Sequence, residues 1–486
     1  MDNSMEERLV SPEELSSDDL KKRVWKESTE FWGIAFPGIV ARLTSFGMIV
    51  VTQLFMGHVS ELDLAAFGLQ QSILIRFVNG ILIGMSSATE TLCGQAYGAG
   101  QYHMMGIYLQ RSWIIDGVAA TILLPLFIFT EPLLKLLGQE DDIAKEAAKM
   151  SLWFIPILYY YVFSLTIQMF LQAQKKNKIV GLFTASSFVV HVLLSWLFVI
   201  KLGFGVAGAM SAFIISAWLL VVEEFVYIFG GWCPLTWKGF TKAAFADMLP
   251  LVKLSLSSGV MICLEFWYTS ILVLLAGCMK NATVAISAFS ICINIYGCDF
   301  MICLGFLGLP GTVRVSNELG KGNAKAAKFS IKVALVTSVI IGILFCVLCL
   351  VFSDEISSLF TSSAQIAESV SKLHVLLAFS VLLNSVYPVL SGVAIGAGVQ
   401  STVAFLNLGS YYVIGVPIGL VLGYVAHLQI RGLWIGLLSG VVVLTLLLSY
   451  LTWRTDWDEQ VHKAADRLGR FFLEPPKESV ENSNLA

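Results

Sequence analysis

Gly94-Gln95-Ala96-Tyr97-Gly98-Ala99-Gly100-Gln101 and Ser316-Asn317-Glu318-Leu319-Gly320-Lys321-Gly322-Asn323 are one pattern written twice. Gly98 and Gly100 recur as Gly320 and Gly322 at an offset of 222 residues, and Ala66-Phe67 recurs as Ala288-Phe289 at the same offset. Self-similarity at a fixed offset marks a duplicated structural unit. Each copy ends an apolar run and opens a short polar loop, where glycine allows a tight helix exit and a positive φ. The chain therefore reads as two related halves.

Outward from that pair, apolar runs of ~20 residues, the length that crosses a bilayer, recur along the chain. The spans are 32–56, 65–92, 112–137, 149–172, 179–201, 206–229, 251–276, 283–309, 329–353, 369–394, 402–425 and 432–453. The 486 residues are 57% hydrophobic and only 13% charged, with a mean hydropathy of +0.78, which is far from a soluble composition. A lipid-exposed backbone must satisfy its own hydrogen bonds, and these runs are too long for barrel strands, so the spans are helices. The expected fold is an all-α membrane protein with twelve transmembrane helices in two pseudo-symmetric six-helix lobes. Its expected divisions are an N-terminal tail 1–31, a first lobe 32–229, a linker 230–250, a second lobe 251–453 and a C-terminal tail 454–486. Pro37, Pro156, Pro310 and Pro388 are hinge candidates, because proline removes an i→i−4 hydrogen bond and kinks a helix.

Charge placement sets the orientation. Arg111 follows span two; Lys175, Lys176 and Lys178 follow span four; Lys238 and Lys242 follow span six; Arg314, Lys321, Lys325 and Lys328 follow span eight. Loops at the other side are acidic or mixed, with Glu61, Asp63, Glu131, Glu140, Asp141, Asp142, Asp354 and Glu355. Both tails carry basic residues (Lys21, Lys22, Arg23; Arg454, Lys463, Arg467), so both termini are expected in the cytosol. Two halves of like orientation form a parallel repeat, a habit of transporters whose substrate site lies between the halves near the midplane. Met1 to Lys26 is acidic at first and then basic, with no apolar h-region beside it, and is not expected to be a secretory signal peptide. The formal charge of −3 gives no reason to expect a nucleic-acid partner. The sequon Asn281-Ala282-Thr283 lies too close to two spans to be used.

An ionisable residue inside a span is costly and marks function by default. Glu265 is the best placed, in Met261-Ile262-Cys263-Leu264-Glu265-Phe266-Trp267-Tyr268-Thr269, with no other charge between Lys253 and Lys280. Ser258, Tyr268 and Thr269 share its helical side, so it is expected to face a polar cavity and to bind and release a proton there. A structural acid held by a neighbouring helix is the alternative. Span eight carries Ser287, Ser290 and Asn294 on one stripe, then Asp299. Span ten carries Ser380, Asn384, Tyr387 and Ser391 beside Pro388. Glu265 and Asp299 are the coupling candidates, and Asn294, Asn384, Tyr268 and Tyr387 are cavity candidates. Serines on such stripes also glue helices together, at roughly 0.6 kcal/mol per contact. In the first half Arg42 reads as the only deep charge, fit to pair with a carboxylate or to meet an anionic group of a substrate. Gln53, Gln70 and Asn79 are further cavity candidates, and Glu90 is expected to cap or pair with loop residues. Six single histidines, and nine cysteines mostly within apolar runs, suggest neither a metal site nor a cofactor.

Several longer motifs carry a family resemblance. Glu90-Thr91-Leu92-Cys93-Gly94-Gln95-Ala96-Tyr97-Gly98-Ala99, Gln110-Arg111-Ser112-Trp113, Phe170-Leu171-Gln172-Ala173-Gln174, Arg314-Val315-Ser316-Asn317-Glu318-Leu319-Gly320, Leu390-Ser391-Gly392-Val393-Ala394 and Arg454-Thr455-Asp456-Trp457 resemble the plant multidrug and toxic compound extrusion (MATE) family, of the DETOXIFICATION type. The resemblance implies two six-helix lobes arranged as a V and export of organic cations, alkaloids, flavonoid conjugates or organic acids against H⁺ or Na⁺. It also implies a proton site at Glu265, within the Cys-Leu-Glu-aromatic-Trp motif. Many members place an acid in span ten where this chain has Asn384, and Asp299 is the candidate to replace it. Asn384 and Ala41-Arg42 are similar to the subgroup that loads flavonoids into the vacuole, whereas Val399 stands where many relatives have tryptophan.

The expectation is thus a secondary antiporter acting by alternating access, monomeric, with an organic small-molecule substrate, a coupling proton and the lipid bilayer as its partners. It needs no cofactor beyond the coupling ion, H⁺ or alternatively Na⁺. The vacuolar membrane is favoured and the plasma membrane is the alternative. A membrane-embedded enzyme would need clustered ligands or a nucleophile near a base, and a channel would need a filter sequence; neither stands out in the chain.

Overall fold

The computed structural model describes residues 17–139, 141–277, 308–352 and 373–471, together with 292, 296–297, 299–300, 302–303 and 305. Eleven helices among the described residues are long and apolar enough to cross a membrane. The remaining expected span, 283–309, falls mostly outside the described residues, as do Asn294, the sequon at 281–283 and the Ala288-Phe289 copy of the repeat. Spans one to six are Ser17–Val59, Leu62–Gly98, Tyr102–Ile128, Asp141–Ala173, Asn177–Lys201 and Gly205–Trp232. Span seven is Leu249–Gly277, span eight ends in Leu309–Gly320, and spans nine to twelve are Ala324–Val351, His374–Ala397, Gln400–Val425 and Ile430–Arg454. A final helix, Trp457–Phe471, follows.

Outward faces confirm the solvent that the composition implies. On span nine Val336, Ile340, Ile343, Leu344 and Val347 are each about half exposed or more, a continuous apolar stripe that is stable only against lipid. Inward faces form separate apolar cores. One gathers Met48, Phe67, Leu82, Phe127, Phe154, Phe213 and Leu220 from the first half. Another gathers Met261, Leu272, Leu390, Tyr411, Trp434 and Leu437 from the second. Polar contacts then fix neighbours: the buried His191 ring of span five reaches Thr52 Oγ1 at 3.1 Å on span one and Ser216 Oγ at 3.1 Å on span six.

Three expectations about span ends are corrected, the first being that the helix of span one begins at Ser17, inside the expected N-terminal tail, rather than at 32. Span three begins at Tyr102 rather than 112, and span eight runs to Gly320 rather than stopping at 309. Arg111 and Arg314 are therefore buried helical residues, not loop charges. Each is tolerated there because partners meet it. Arg314 pairs with Glu27 at 2.7 Å, Glu30 at 2.8 Å and Glu318 at 3.3 Å, and Arg111 donates to the Ala243 carbonyl at 3.1 Å.

The repeat motif is where the halves meet. Span two and span eight end in the same hydrogen-bonded cap. Gln101 N donates to Ala96 O at 2.9 Å and Gly100 N to Tyr97 O at 3.2 Å; Asn323 N donates to Glu318 O at 2.9 Å and Gly322 N to Leu319 O at 3.0 Å. This is the Schellman arrangement, which needs a left-handed residue just past the helix. Gly100 (φ +74°) and Gly322 (φ +76°) supply it. Gly98 and Gly320, expected to share that role, remain helical and serve close approach instead. A side chain on Gly98 would strike the Asn317 carbonyl, and one on Gly320 would strike the Gln95 carbonyl. Asn317 is the repeat counterpart of Gln95, so the contact is reciprocal. Gly94 packs on Ser316, its own counterpart, which places the pseudo-symmetry axis beside that pair.

Candidate functional site

Span ten organises the second-half polar cluster. Pro388 withholds one backbone N–H within this helix, and Ser338 of span nine donates to the nearby Ser385 carbonyl. The polar stripe read from the sequence lies across this loosened stretch, and each member finds a partner. Ser380 Oγ accepts from Trp434 Nε1 at 3.0 Å. Asn384 Nδ2 donates to Asp299 Oδ2 at 3.1 Å and to the Tyr296 carbonyl at 3.2 Å. Tyr387 donates its hydroxyl to Glu265 Oε2 at 2.6 Å, and Ser391 stands within hydrogen-bonding reach of Tyr387.

Spans seven, eight and ten therefore bring Glu265 and Asp299 into one network. Both acids are half-buried, and each is held by a donor on span ten, one turn apart. Tyr296 lies within electrostatic reach of both carboxyl groups. Donation to a charged acceptor is stronger than to a neutral one, so Tyr387 responds to the charge on Glu265. Asn384 Oδ1 is buried and accepts no hydrogen bond among the described residues, which leaves the amide an acceptor to offer a neighbour.

Span eleven contributes what sequence reasoning missed. Its stretch Leu408–Gly415 winds as a π-helix, a wider turn that often accompanies functional sites. Tyr411 lies within hydrogen-bonding reach of Tyr387 and stacks on Tyr268 at 4.4 Å. Tyr412 donates to the Leu264 carbonyl, beside Glu265, at 2.8 Å. The visible signal was the Tyr411-Tyr412 pair inside an otherwise apolar span.

Other candidates fall elsewhere. Tyr268 is 1% exposed and gives its hydroxyl to the Gly436 and Leu437 carbonyls of span twelve, so it packs in the core and lines no opening. Gln70 is fully buried and accepts from Ser151 at 2.8 Å, as part of the contact between spans two and four. Gln53 is exposed. Asn79 is half-buried beside Tyr161 of span four. Pro37 packs against Gly181, the Pro156 carbonyl accepts from Trp218 Nε1 at 3.2 Å, and Pro310 lies inside span eight, just after the π-helical Gly308.

Two first-half readings change. Glu90 does not cap a loop: it is 4% exposed, in the charge field of Arg42, with Oε1 lacking a donor among the described residues. Arg42 itself lies beside Gly305 of span eight. Nor is Arg42 the only deep charge. Asp116 is 1% exposed and accepts from Ser86 at 2.9 Å, and Glu224 is 0% exposed and accepts from Ser164 at 3.2 Å. Both stood in the sequence as acids within apolar runs.

Two like halves closing on a glycine seam, with acids inside the spans held by facing helices, mark a membrane transporter. The family model described as MatE matches residues 37–197 and 258–421, one block in each half. The chain is 52% identical over 482 residues to Protein DETOXIFICATION 24 of Arabidopsis thaliana, covering 98% of this chain and 96% of that protein. It is 51% identical to Protein DETOXIFICATION 25 of the same plant, covering 99% and 97%. The solved structure of the eukaryotic MATE transporter AtDTX14 superposes with a TM-score of 0.86 at 31% identity, covering 92% of this chain and 99% of that one. A bent form of the Vibrio cholerae MATE transporter VcmN shares the fold, with a TM-score of 0.76 at 18% identity, covering 93% and 100%. The chain belongs to the MATE family of multidrug and toxic compound extrusion transporters.

Proposed function

We propose that this transporter moves organic cations, alkaloids or flavonoid conjugates out of the cytosol in exchange for protons, with Glu265 as the coupling residue. The observation that carries the reading is the half-buried Glu265 carboxyl group, held by Tyr387 at 2.6 Å and linked through span ten to Asp299. Lobes 32–229 and 251–453 alternate access, and the tails 1–31 and 454–486 and the linker 230–250 face the cytosol. Loop charge supports that orientation. The vacuolar membrane is the favoured location.

A proton arriving from the acidic side neutralises Glu265. Its carboxyl group then offers a donor of its own, and Tyr387 turns its hydroxyl toward Tyr411 or Ser391. Asn384 lies one turn from Tyr387, so the change reaches Asp299, and Pro388 lets span ten bend as it does. Asp299 takes the place of the span-ten acid found in many relatives. The cavity closes on the substrate side, substrate leaves, and deprotonation to the cytosol resets the site. One proton moving down one pH unit supplies about 1.4 kcal/mol, enough for about a tenfold substrate gradient.

The test is uptake of a panel of organic cations and glycosylated flavonoids into inside-acid vesicles, with Glu265→Gln beside the unaltered protein. Uptake should collapse with the pH gradient and with the substitution, in a variant that folds normally. Uptake that survives both, or that follows a Na⁺ gradient instead, would sink the proton reading.

A further inference from the structure

At the basic end of the molecule, beside the glycine seam, a cavity of about 370 Å³ opens between the start of span seven, the start of span eleven and the final helix. Lys253 and Ser257, one helical turn apart on span seven, line one wall, and Ser401 lines another. Lys463 and Arg467, again one turn apart, come from the final helix together with Asp466. Three cations thus face the cavity against one carboxylate. Lys463 shares its charge with Glu459 at 2.8 Å, whereas Lys253 makes no ion pair among the described residues.

Arg467 is the key member. It is half-buried, and its guanidinium donates to Gln95 Oε1 at 2.9 Å and to the Gly398 carbonyl at 3.4 Å. Both acceptors are neutral, and Arg467 pairs with no carboxylate among the described residues. A desolvated cation without a counter-charge is expensive. Gln95 belongs to the first half and Gly398 to the second, and Gln95 also donates to the Gly396 carbonyl at 3.1 Å. Whatever fixes Arg467 therefore fixes the seam.

We propose that this cavity binds a phosphate-type anion, a phospholipid headgroup or a soluble phosphate ester, and that the anion clamps the halves together at this end. Lysine and arginine supply the charge, and the two serine hydroxyls supply neutral donors suited to phosphate oxygens. Basic pockets between helices at a membrane face recognise anionic headgroups in this way. Binding holds the final helix on the seam and slows its opening, a control separate from the coupling chemistry at Glu265.

The experiment uses the full chain in phosphatidylcholine vesicles, with or without phosphatidic acid, and in detergent with glycerol phosphate. Binding is read by native mass spectrometry, and initial uptake is measured in parallel. Phosphatidic acid should bind and lower uptake severalfold. In Lys253→Glu/Lys463→Glu, and more weakly in the paired glutamine variant, binding should weaken at least about tenfold, with uptake in phosphatidylcholine alone unchanged. Charge reversal at Lys325 and Lys328, which lie outside the cavity, should leave binding intact. Competition by glycerol phosphate would identify a soluble ester as sufficient, and its failure beside retained lipid binding would identify the headgroup in its bilayer. The proposal is overturned if neither probe binds, or if the Lys325/Lys328 variant loses binding as fully as the Lys253/Lys463 variant.

Discussion

Both halves of this transporter bury carboxyl groups, but on different terms. In the second half Glu265 and Asp299 are half-buried, and each accepts a hydrogen bond from span ten, the helix that contains Pro388. In the first half Asp116 and Glu224 are sealed at 1% and 0% exposure. A serine meets one oxygen of each, and the other oxygen lacks a donor among the described residues. An acid that works as a coupling site needs a path to solvent and a partner that can change with its charge. The second-half pair has such partners in Tyr387 and Asn384; the first-half pair is sealed in packing. If Glu265 couples transport as proposed, halves that share a fold by duplication divide the labour.

The largest effect that sharpens this contrast is the loss of pH-driven uptake expected for Glu265→Gln. The next is at its partner. Tyr387→Phe removes the 2.6 Å donor from Glu265. A hydrogen bond to a charged group is worth about 1.5–3 kcal/mol, so uptake should fall about tenfold or more while the midpoint of thermal unfolding stays near its normal value. Initial-rate uptake beside a melting curve checks this. Normal rates in Tyr387→Phe would show that Glu265 works without span ten, and the network account would fail.

Asp299→Asn tests the second acid. The Asn384 amide can still donate to the new side chain, so what is lost is the difference between a charged and a neutral acceptor. With neutral hydrogen bonds near 0.5–1.5 kcal/mol, uptake should drop about threefold, less than at Tyr387. A loss as complete as that of Glu265→Gln would make Asp299 an equal coupling acid.

The fold was legible because its two signals are redundant: apolar runs long enough to cross a bilayer, and a motif repeated at a constant offset. Gly100 and Gly322 could be assigned to helix exits from the pattern alone. That Gly98 and Gly320 serve contact rather than conformation could not, because a sequence does not say which helix lies opposite. The site followed the same division. A period of three to four residues placed Ser380, Asn384, Tyr387 and Ser391 on one stripe, and that stripe meets Trp434, Asp299 and Glu265. The same periodicity put Tyr268 beside Glu265, yet packing turned it onto span twelve. Tyr411 and Tyr412 escaped notice because a π-helical turn breaks the 3.6-residue rule on which the reading depended. Asp116 and Glu224 were not legible for another reason: their serine partners, Ser86 and Ser164, lie on other spans, and a single helix period does not show which span faces which.

Those two first-half acids give the smallest effect and the sharpest control. Asp116→Asn keeps the shape of the side chain and an acceptor for the Ser86 hydroxyl. On the far side it exchanges one unpartnered polar atom for another. Glu224→Gln does the same beside Ser164. Conservative changes that leave the number of unsatisfied buried groups constant avoid the desolvation penalty of about 1–3 kcal/mol that a newly orphaned group incurs. Both variants should therefore keep pH-driven uptake within about twofold of normal, since 1.4 kcal/mol would be needed for a factor of ten. The pH dependence of that uptake should keep its form. Flattened pH dependence in either variant, in protein that melts normally, would place a working acid in the first half and erase the division between the lobes.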